Sequence, residues 1–566
     1  MGTENHSNSR PIEGRLGLHD RDQFEVKLDY AIDPAKKQNR YEVDAYFFLP
    51  KSLGVDAQTY PKAQFYSDVQ AYIRFKTPPL SLKDLARIED QSSPLGRLMR
   101  LLERPCHGAA RVQHIARLSQ ELRLVGCLVR ANLRDRARAI RRLSSELLQL
   151  IQLDSADAND VELLRSEIQG LVAEARCVLA KYRLLRSSFY SPKLEASLAE
   201  TYALVDEYMS LTFEGQLTRL LKALQDAPLL DRSLQAEQEL LSKAILDERS
   251  HRRGCGHASL PEAEGSNETL VYRLGLLKKF VMSVLFLEIT RDRDGHGTAH
   301  FVAAIAAGLA MLLASVGSIF LQTIYAVNTL PFVLALTLAY MAKDRLKEWA
   351  KLYLSAKMAP WLSDYRVKII NPVDGGVVGS CLERVSMCGP SDLPPEVLGA
   401  RHGPRLHTIE AQSKREVVLH YRKGITIYGR RFNGLDGQVD EINDIIRFSV
   451  SHFTTRMDDP VRPLLAYDER QQRVREIRCS KVYHLNLVFV LRALGSDATP
   501  FIEHARVILD KGGIRRVEWH GSASLRSSFP ALELPDLVPL PAPPADADGR
   551  LAPSPVPPSA VFPRPN

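Results

Sequence analysis

Phe301 to Ala342 read FVAAIAAGLAMLLASVGSIFLQTIYAVNTLPFVLALTLAYMA, 42 consecutive positions without an Asp, Glu, Lys, Arg or His. A bilayer core about 30 Å thick takes about 20 apolar residues per helix, so this run suffices for two spans with almost no loop. The turn is expected within Gln322 to Asn328, which contains the mid-run polar residues Gln322, Thr323 and Asn328. That places one helix at about 301–321 and the other at about 325–342, with Pro331 in the first turn of the second, where its missing N–H is harmless. The second helix is the shorter, and snorkelling of Lys343 and Arg345 is expected to complete it.

The flanks set an orientation. Lys278, Lys279, Arg291 and Arg293 precede the run, Lys343, Arg345, Lys347, Lys351 and Lys357 follow it, and the turn has no cation. Cations near span ends are retained on the cytoplasmic side, so both flanks are expected there; a cell inner membrane of bacterial type is expected from the overall character of the chain, not from the cations. Tyr325, Tyr340, Trp349 and Tyr353 suit the interfaces. Residues 343–359 form an amphipathic segment that continues the second helix or lies among the headgroups.

Along the first helix Ala306, Ala310, Ala314 and Ser318 recur every fourth residue, with Ala304 and Gly308 alongside. Small residues on one stripe admit close approach of another helix, either the second half of the same hairpin or another copy. An ion path needs intramembrane polar groups, and none is ionisable here, so the run reads as an anchor; a small oligomeric pore would need the stripe to face another subunit. A buried hairpin in a water-soluble core is the competing reading, but such helices normally keep a polar stripe.

The remaining chain must fold in water, because mean hydropathy is only −0.17. At 566 residues it exceeds one core. The net charge of +8 is concentrated: twelve Arg stand against Glu103, Glu121 and Asp135 between Arg97 and Arg142. Arg130, Arg134, Arg138 and Arg141 or Arg142 fall at helical spacing, a stripe that reads either as a contact for anionic lipid or as a solvated face. Nucleic acid fits less well, because no interleaved aromatics or reading module accompany the arginines. Seven cysteines without framework spacing indicate reduced thiols. MGTENHSNSR has no secretory pattern, and His6 stands where a myristoylation motif wants Ser or Thr.

Before the run, residues 1–20 are expected to be disordered and 21–79 to contain a small β element, with strands at Phe24 to Ile32 and Tyr41 to Leu49. Pro61 to Lys76 fits both periods and is assigned to helix. Residues 80–290 carry helical periodicity: Leu164, Ile168, Leu171, Ala175, Val178, Tyr182 and Leu185 form an a/d seam introduced by Asp160. Further helices are expected from Ser191-Pro192, from about Asp231 to before Gly254, and over Tyr272 to Thr290. After the run, residues 360–527 read as β-rich, with strands at Tyr365 to Ile370, Arg415 to Ile427, Lys481 to Arg492 and Phe501 to Trp519, the last turning at Asp510-Lys511-Gly512-Gly513. Gln438 to Met457 has helical spacing. Residues 528–566, with twelve prolines, are expected to be a disordered tail.

Asp294-Gly295-His296-Gly297-Thr298-Ala299-His300 resembles the histidine motif of subtilisin-like serine proteases over seven residues. It inserts Ala299 before the second His, and Gly521-Ser522-Ala523-Ser524 lacks that family's nucleophile pattern, so no triad follows. His251, Cys255 and His257, or His296 and His300, supply too few ligands for a zinc site.

The fold expected is therefore a multi-domain membrane protein: a mainly α helical bundle or coiled coil with a small β element, a two-helix transmembrane hairpin at 300–342, an α+β, β-rich C-terminal domain and a Pro-rich tail. The function expected is a non-enzymatic scaffold or signal-relay protein holding two cytoplasmic domains at the membrane. No catalytic, metal or cofactor residue is assigned. Partners would be the bilayer, proteins meeting the bundle, the β-rich domain or the tail, and further copies of the chain. The alternative is a membrane-tethered enzyme with its site near Cys479, His484 and His504.

Overall fold

The computed structural model describes residues 12–90, 93–104, 110–153, 157–192, 194–227, 230, 233–257, 259–261, 265–293, 296–326, 329–358, 363–372, 375–389, 392–401, 416–431, 441–495 and 499–519. The Pro-rich tail lies outside them, as do Asp294, Gly295 and the Gly521 to Ser524 stretch.

Two antiparallel sheets share one core. The smaller runs β1 (Ile12–Leu18), β2 (Gln23–Ala31), β9 (Glu441–Ser449), β4 (Val69–Phe75). The larger runs β14 (Gly513–Trp519), β13 (Phe501–Asp510), β12 (Tyr483–Leu494), β3 (Asn39–Pro50), β8 (Glu416–Ile427), β7 (Val377–Cys388), β6 (Tyr365–Ile370), β5 (Glu288–Arg293). A separate hairpin, β10 (Val461–Asp468) with β11 (Arg473–Ser480), stands apart. Strands read as belonging to the stretches 21–79 and 360–527 thus alternate within the same sheets: β3 lies between β12 and β8, and β9 between β2 and β4. Phe47 of β3 meets Phe448 of β9 with ring centroids 5.1 Å apart, one of several aromatic contacts joining the layers.

Helices fill the interval between β4 and β5. They include α2 (Pro94–Glu103), α3 (Ala110–Gln152), α4 (Ala158–Leu184), α5 (Ala196–Gln225), α6 (Gln235–Gly254) and α7 (Glu268–Met282), with a short α1 (Lys62–Asp68) before β4. The Leu164 to Leu185 seam is buried. It packs within this bundle, since α4 meets α3, α5 and α6. After β5 come α8 (His296–Ile324) and α9 (Leu330–Met358), which pack on each other.

Several expectations need correction. Ile12–Leu18, expected within a disordered N-terminus, is a paired strand. Pro61 to Lys76 divides into α1 and β4, because Val69, Ala71, Ile73 and Phe75 pair with β9. Gln438 to Met457 contains β9 and one helical turn, Ser451–Thr454. β9 is a central strand with Ile442 through Ile446 buried consecutively on both faces, and Ile442, Ile445, Ile446 and Val450 mimic helical spacing. The last helix before the hairpin stops at Met282, and Glu288 to Arg293 pair with β6. The helix expected from Ser191-Pro192 begins at Ala196, and Asp160 is the third residue of its helix, accepting from the Asp157 N–H at 3.1 Å. The 343–359 segment is continuous with α9 through Met358.

Of the two spans expected, one helix has the length and apolarity that a crossing requires. Ala303–Ile324, with mean hydropathy 2.2, is the one stretch among the described residues long and apolar enough to cross a membrane. α9 fails because Lys343, Asp344, Arg345 and Lys347 follow only thirteen uncharged residues after its start at Leu330.

Between the sheets lies a buried ion pair. The Lys423 ammonium on β8 donates to Asp444 on β9 at 2.6 Å, with their side chains 1% and 0% exposed. Tyr30 donates to the same carboxylate at 3.3 Å, and Glu383 stands 3.9 Å from Lys423. Burial alone would lower the Lys423 pKa, but the facing carboxylates hold it above its usual value. Lys423→Met should therefore cost about 3–5 kcal/mol by stranding Asp444, read as a fall in the urea midpoint. Lys423→Met with Asp444→Leu should recover most of the loss; a double variant as unstable as the single would show that the charge pair is not what matters.

Candidate functional site

The helical hairpin leaves and re-enters the sheet at adjacent strands. β5 pairs antiparallel with β6 from Glu288↔Ile370 to Arg293↔Tyr365, and the latter pair stands at the mouth of the hairpin. The two helices have 29 residues each, so at 1.5 Å per residue each reaches about 43 Å. Ala310, Ala314 and Gly317 line one groove with Ala339, Ala342 and Leu346. Of the small-residue stripe, Ala306 and Ala310 are buried, Ala314 and Ser318 are half-buried, and Ala304 and Gly308 are exposed. The close approach expected of the stripe is thus made within the hairpin. The opposite face of α8 exposes Leu309, Leu312, Val316, Ile319 and Phe320.

Counting back equally from the turn puts Lys343 about level with Met311. Both helices are therefore free of charge for only about 20 Å from the tip, whereas α8 alone stays apolar for about 33 Å. Lys343 folds its ammonium over the Tyr340 ring, 3.6 Å from the centroid, while Asp344, Arg345 and Glu348 are exposed.

The arginine stripe does not form one flat face. Arg130 turns to the Met282 sulfur at 3.7 Å, Arg141 returns to the Ala137 carbonyl at 3.4 Å, and Arg142 is exposed. Arg134 and Arg138 share Asp135, at 2.9 and 3.4 Å, and line a cleft of about 970 Å³ between α3 and the smaller sheet. Arg15, Lys27, Arg74 and Lys76 face it from the sheet side, with Glu25 and Asp29 among them. Arg74 donates to Asn443 at 3.3 Å and has no ion pair among the described residues. Burial, and then the facing Arg134, hold its guanidinium below its usual value. Helical spacing exposed half of this lining in sequence; the sheet half had no signal, because its residues come from four strands.

No protein-family model matches the chain, and no curated protein does either.

The proposed Cys479, His484 and His504 grouping is not assembled. Cys479 lies on β11 opposite Arg462, in the separate hairpin. His484 pairs with Ile508 and His504 with Val488, so the two histidines stand four residues apart along β12, about 13 Å. His504 faces Asn486 at 3.3 Å.

Asp206, His251 and Cys255 do converge, with ligand atoms within 4.8 Å of one another. Two cations already occupy them: Arg183 reaches Asp206 at 3.0 Å and Arg186 reaches the Cys255 sulfur at 3.6 Å. Burial would raise the Asp206 carboxyl, but His251 and Arg183 hold it below the usual range. The group fits an ion-pair lock between α5 and α6 better than a metal site. His257, grouped with them in sequence, points to Glu207 at 3.5 Å instead.

The cation excess of the cleft gives a direct expectation. Pyrophosphate at ten times its Kd should stabilise the protein by about 1.4 kcal/mol in urea titration, and Arg74→Gln with Arg134→Gln should abolish most of that gain. An equal gain in the double variant would place the anion elsewhere.

Proposed function

We propose that this protein is anchored in a membrane by the α8–α9 hairpin and carries its folded body on one side, as a scaffold or signal-relay protein at the inner face of a bacterial-type membrane. The observation that carries the anchoring is the exposed apolar face of Ala303–Ile324, whose window is only 11% buried. Burying apolar surface contributes about 25 cal/mol per Å², and the folded body leaves this surface uncovered. Adjacent exit and return strands support a body confined to one side, since a connection ending on neighbouring strands must come back to where it left. Cations along the stem of α9, Lys343 to Lys351, and at the hairpin base, Arg291 and Arg293, suit the cytoplasmic side. Exposed Arg142 remains available for anionic lipid.

The depth argument supports a wedge rather than two full crossings. With charges on α9 beginning about 20 Å from the tip, a core about 30 Å thick would hold Asp344 and Arg345 in hydrocarbon if the tip emerged on the far side. A second reading, a membrane-tethered enzyme, is favoured by one different observation, a row of Asp44, His420 and Cys388 on the larger sheet.

The full-length chain should stay in the membrane pellet through an alkaline carbonate wash; release by carbonate would defeat the anchoring. In sealed vesicles enclosing the folded body, Thr329→Cys at the tip should resist a membrane-impermeant maleimide. Labelling from the far side would instead establish that the tip crosses.

A further inference from the structure

β8 lies between β3 and β7, and the outer face of these strands carries an ordered set of side chains. On β8, His420 stands opposite Tyr46 of β3 and opposite Ser386 of β7. Asp44 stands two residues before Tyr46 on β3 and Cys388 two residues after Ser386 on β7, so both are diagonal neighbours of His420 on the same face. Asp44 is buried and bonds His420 Nε2 at 2.7 Å. Tyr46 stacks on the imidazole, with centroids 4.3 Å apart and planes within 5°, which fixes the ring. The Cys388 sulfur leans toward Ser386, 3.9 Å from its hydroxyl, on the β7 side of the ring. The imidazole thus bonds a carboxylate on the β3 side and has the thiol as its diagonal neighbour on the β7 side.

We propose that Cys388 is a nucleophilic thiol activated by His420 and oriented through Asp44, and that it transfers acyl groups from esters or thioesters to water. This inference does not depend on membrane anchoring. In the first step the Cys388 sulfur bonds to the acyl carbon, the carbon–oxygen or carbon–sulfur bond of the substrate breaks, and His420 gives its proton to the departing group. In the second, water adds to the acyl carbon, His420 takes a proton from it, the bond to Cys388 breaks, and a carboxylic acid leaves. Acyl transfer is favoured over disulfide chemistry because Cys381, the nearest cysteine along β7, is buried in the core and seven residues away, on the opposite face. A cation site is disfavoured because Arg422 and Arg492 already contact Asp44 at 2.8 and 2.6 Å.

The surroundings suit the role. Hydrogen bonding to His420 holds the Cys388 thiol below its ordinary value against burial. Burial alone would lower His420, yet Asp44 and Cys388 hold it above. The other charged groups facing the row are Arg422 with Glu42, Arg492 with Glu396 of the helix α10 (Pro395–Arg401), and Asp392, which opposes the thiolate. Cys388 packs against a small buried apolar cluster that includes Leu393, Val397 and Phe48, which shields one side of the thiol from water.

Iodoacetamide labelling of the full-length protein, followed peptide by peptide across pH, tests the activation. Cys388 should reach its half-maximal rate below pH of about 8.5, the ordinary thiol value, and His420→Gln should slow it at least about tenfold at pH 7 while the melting profile is retained. If His420→Gln fails to fold, Asp44→Asn should give the same shift in the pH profile to a smaller degree. With p-nitrophenyl acetate as probe, a burst of nitrophenol with an acetyl group on the Cys388 peptide, lost with time, is expected, and Cys388→Ser should abolish it. A Cys388 no faster than exposed Cys177, or a reactive thiol that never carries an acetyl group, would overturn the proposal.

Discussion

The Lys423–Asp444 pair is the constraint on which the arrangement of the two sheets depends. Two opposite charges removed from water are tolerated only when each finds the other in good geometry, so β8 and β9 cannot slide without stranding a charge in the core. The same set continues outward. Glu383 of β7 accepts from Tyr421 at 3.1 Å and from Arg291 of β5 at 2.5 Å. Arg291 also lies over the Tyr365 ring of β6, 4.9 Å from its centroid. A chain of charged and aromatic contacts therefore runs from the middle of the core to the strands that launch and receive the hairpin, and the core fixes where the apolar helices emerge.

That constraint also explains which features the sequence displays. Elements whose signal is local are plain in it: β6 at Tyr365–Ile370, the turn at Asp510 to Gly513, where Gly513 has φ +113, and the buried Leu164 to Leu185 seam. β9 misleads because a strand buried on both faces loses its alternation, and β4 because its alternating run follows a helical turn whose apolar residues continue its pattern, so only the pairing partner decides between helix and strand. Pairing of β3 with β8 and β12, or of β2 with β9, joins residues more than 300 positions apart. Nothing in periodicity encodes such a partner, so the N-terminal strands read as an element of their own. The arginines of α3 were visible by spacing, whereas Arg74 and Asn443 became neighbours only through the sheet.

The hairpin shows the reverse case, a strong local signal whose extent misleads. An uncharged run of 42 residues looks symmetric, but the turn leaves an uncharged stretch of 22 residues on α8 and one of thirteen on α9. Because two packed helices must lie side by side, the shorter apolar length sets the depth at which both can be dry. The excess on α8 lies beside Lys343 to Glu348, and its outward residues Ile305 and Leu309 are exposed there. Such a helix pair is amphipathic along its length as well as around it.

Two groups of Cys, His and Asp occur in this molecule, and their contrast argues that residue type alone decides little. In the helical group, His251 and Cys255 share one face of α6, and the same Nε2 lies 2.7 Å from Asp206 and 3.7 Å from the Cys255 sulfur. One nitrogen cannot relay between two partners, and Arg183 and Arg186 already hold the acid and the thiol. In the sheet group, three neighbouring strands place the acid and the thiol on opposite sides of the His420 ring, with Tyr46 stacked on it. A sheet fixes cross-strand positions without requiring the side chains to bond one another, so the thiol can stand beside the imidazole and still be half-exposed. That geometry, rather than the presence of a cysteine near a histidine, separates a site that can turn over from one that only ties helices together.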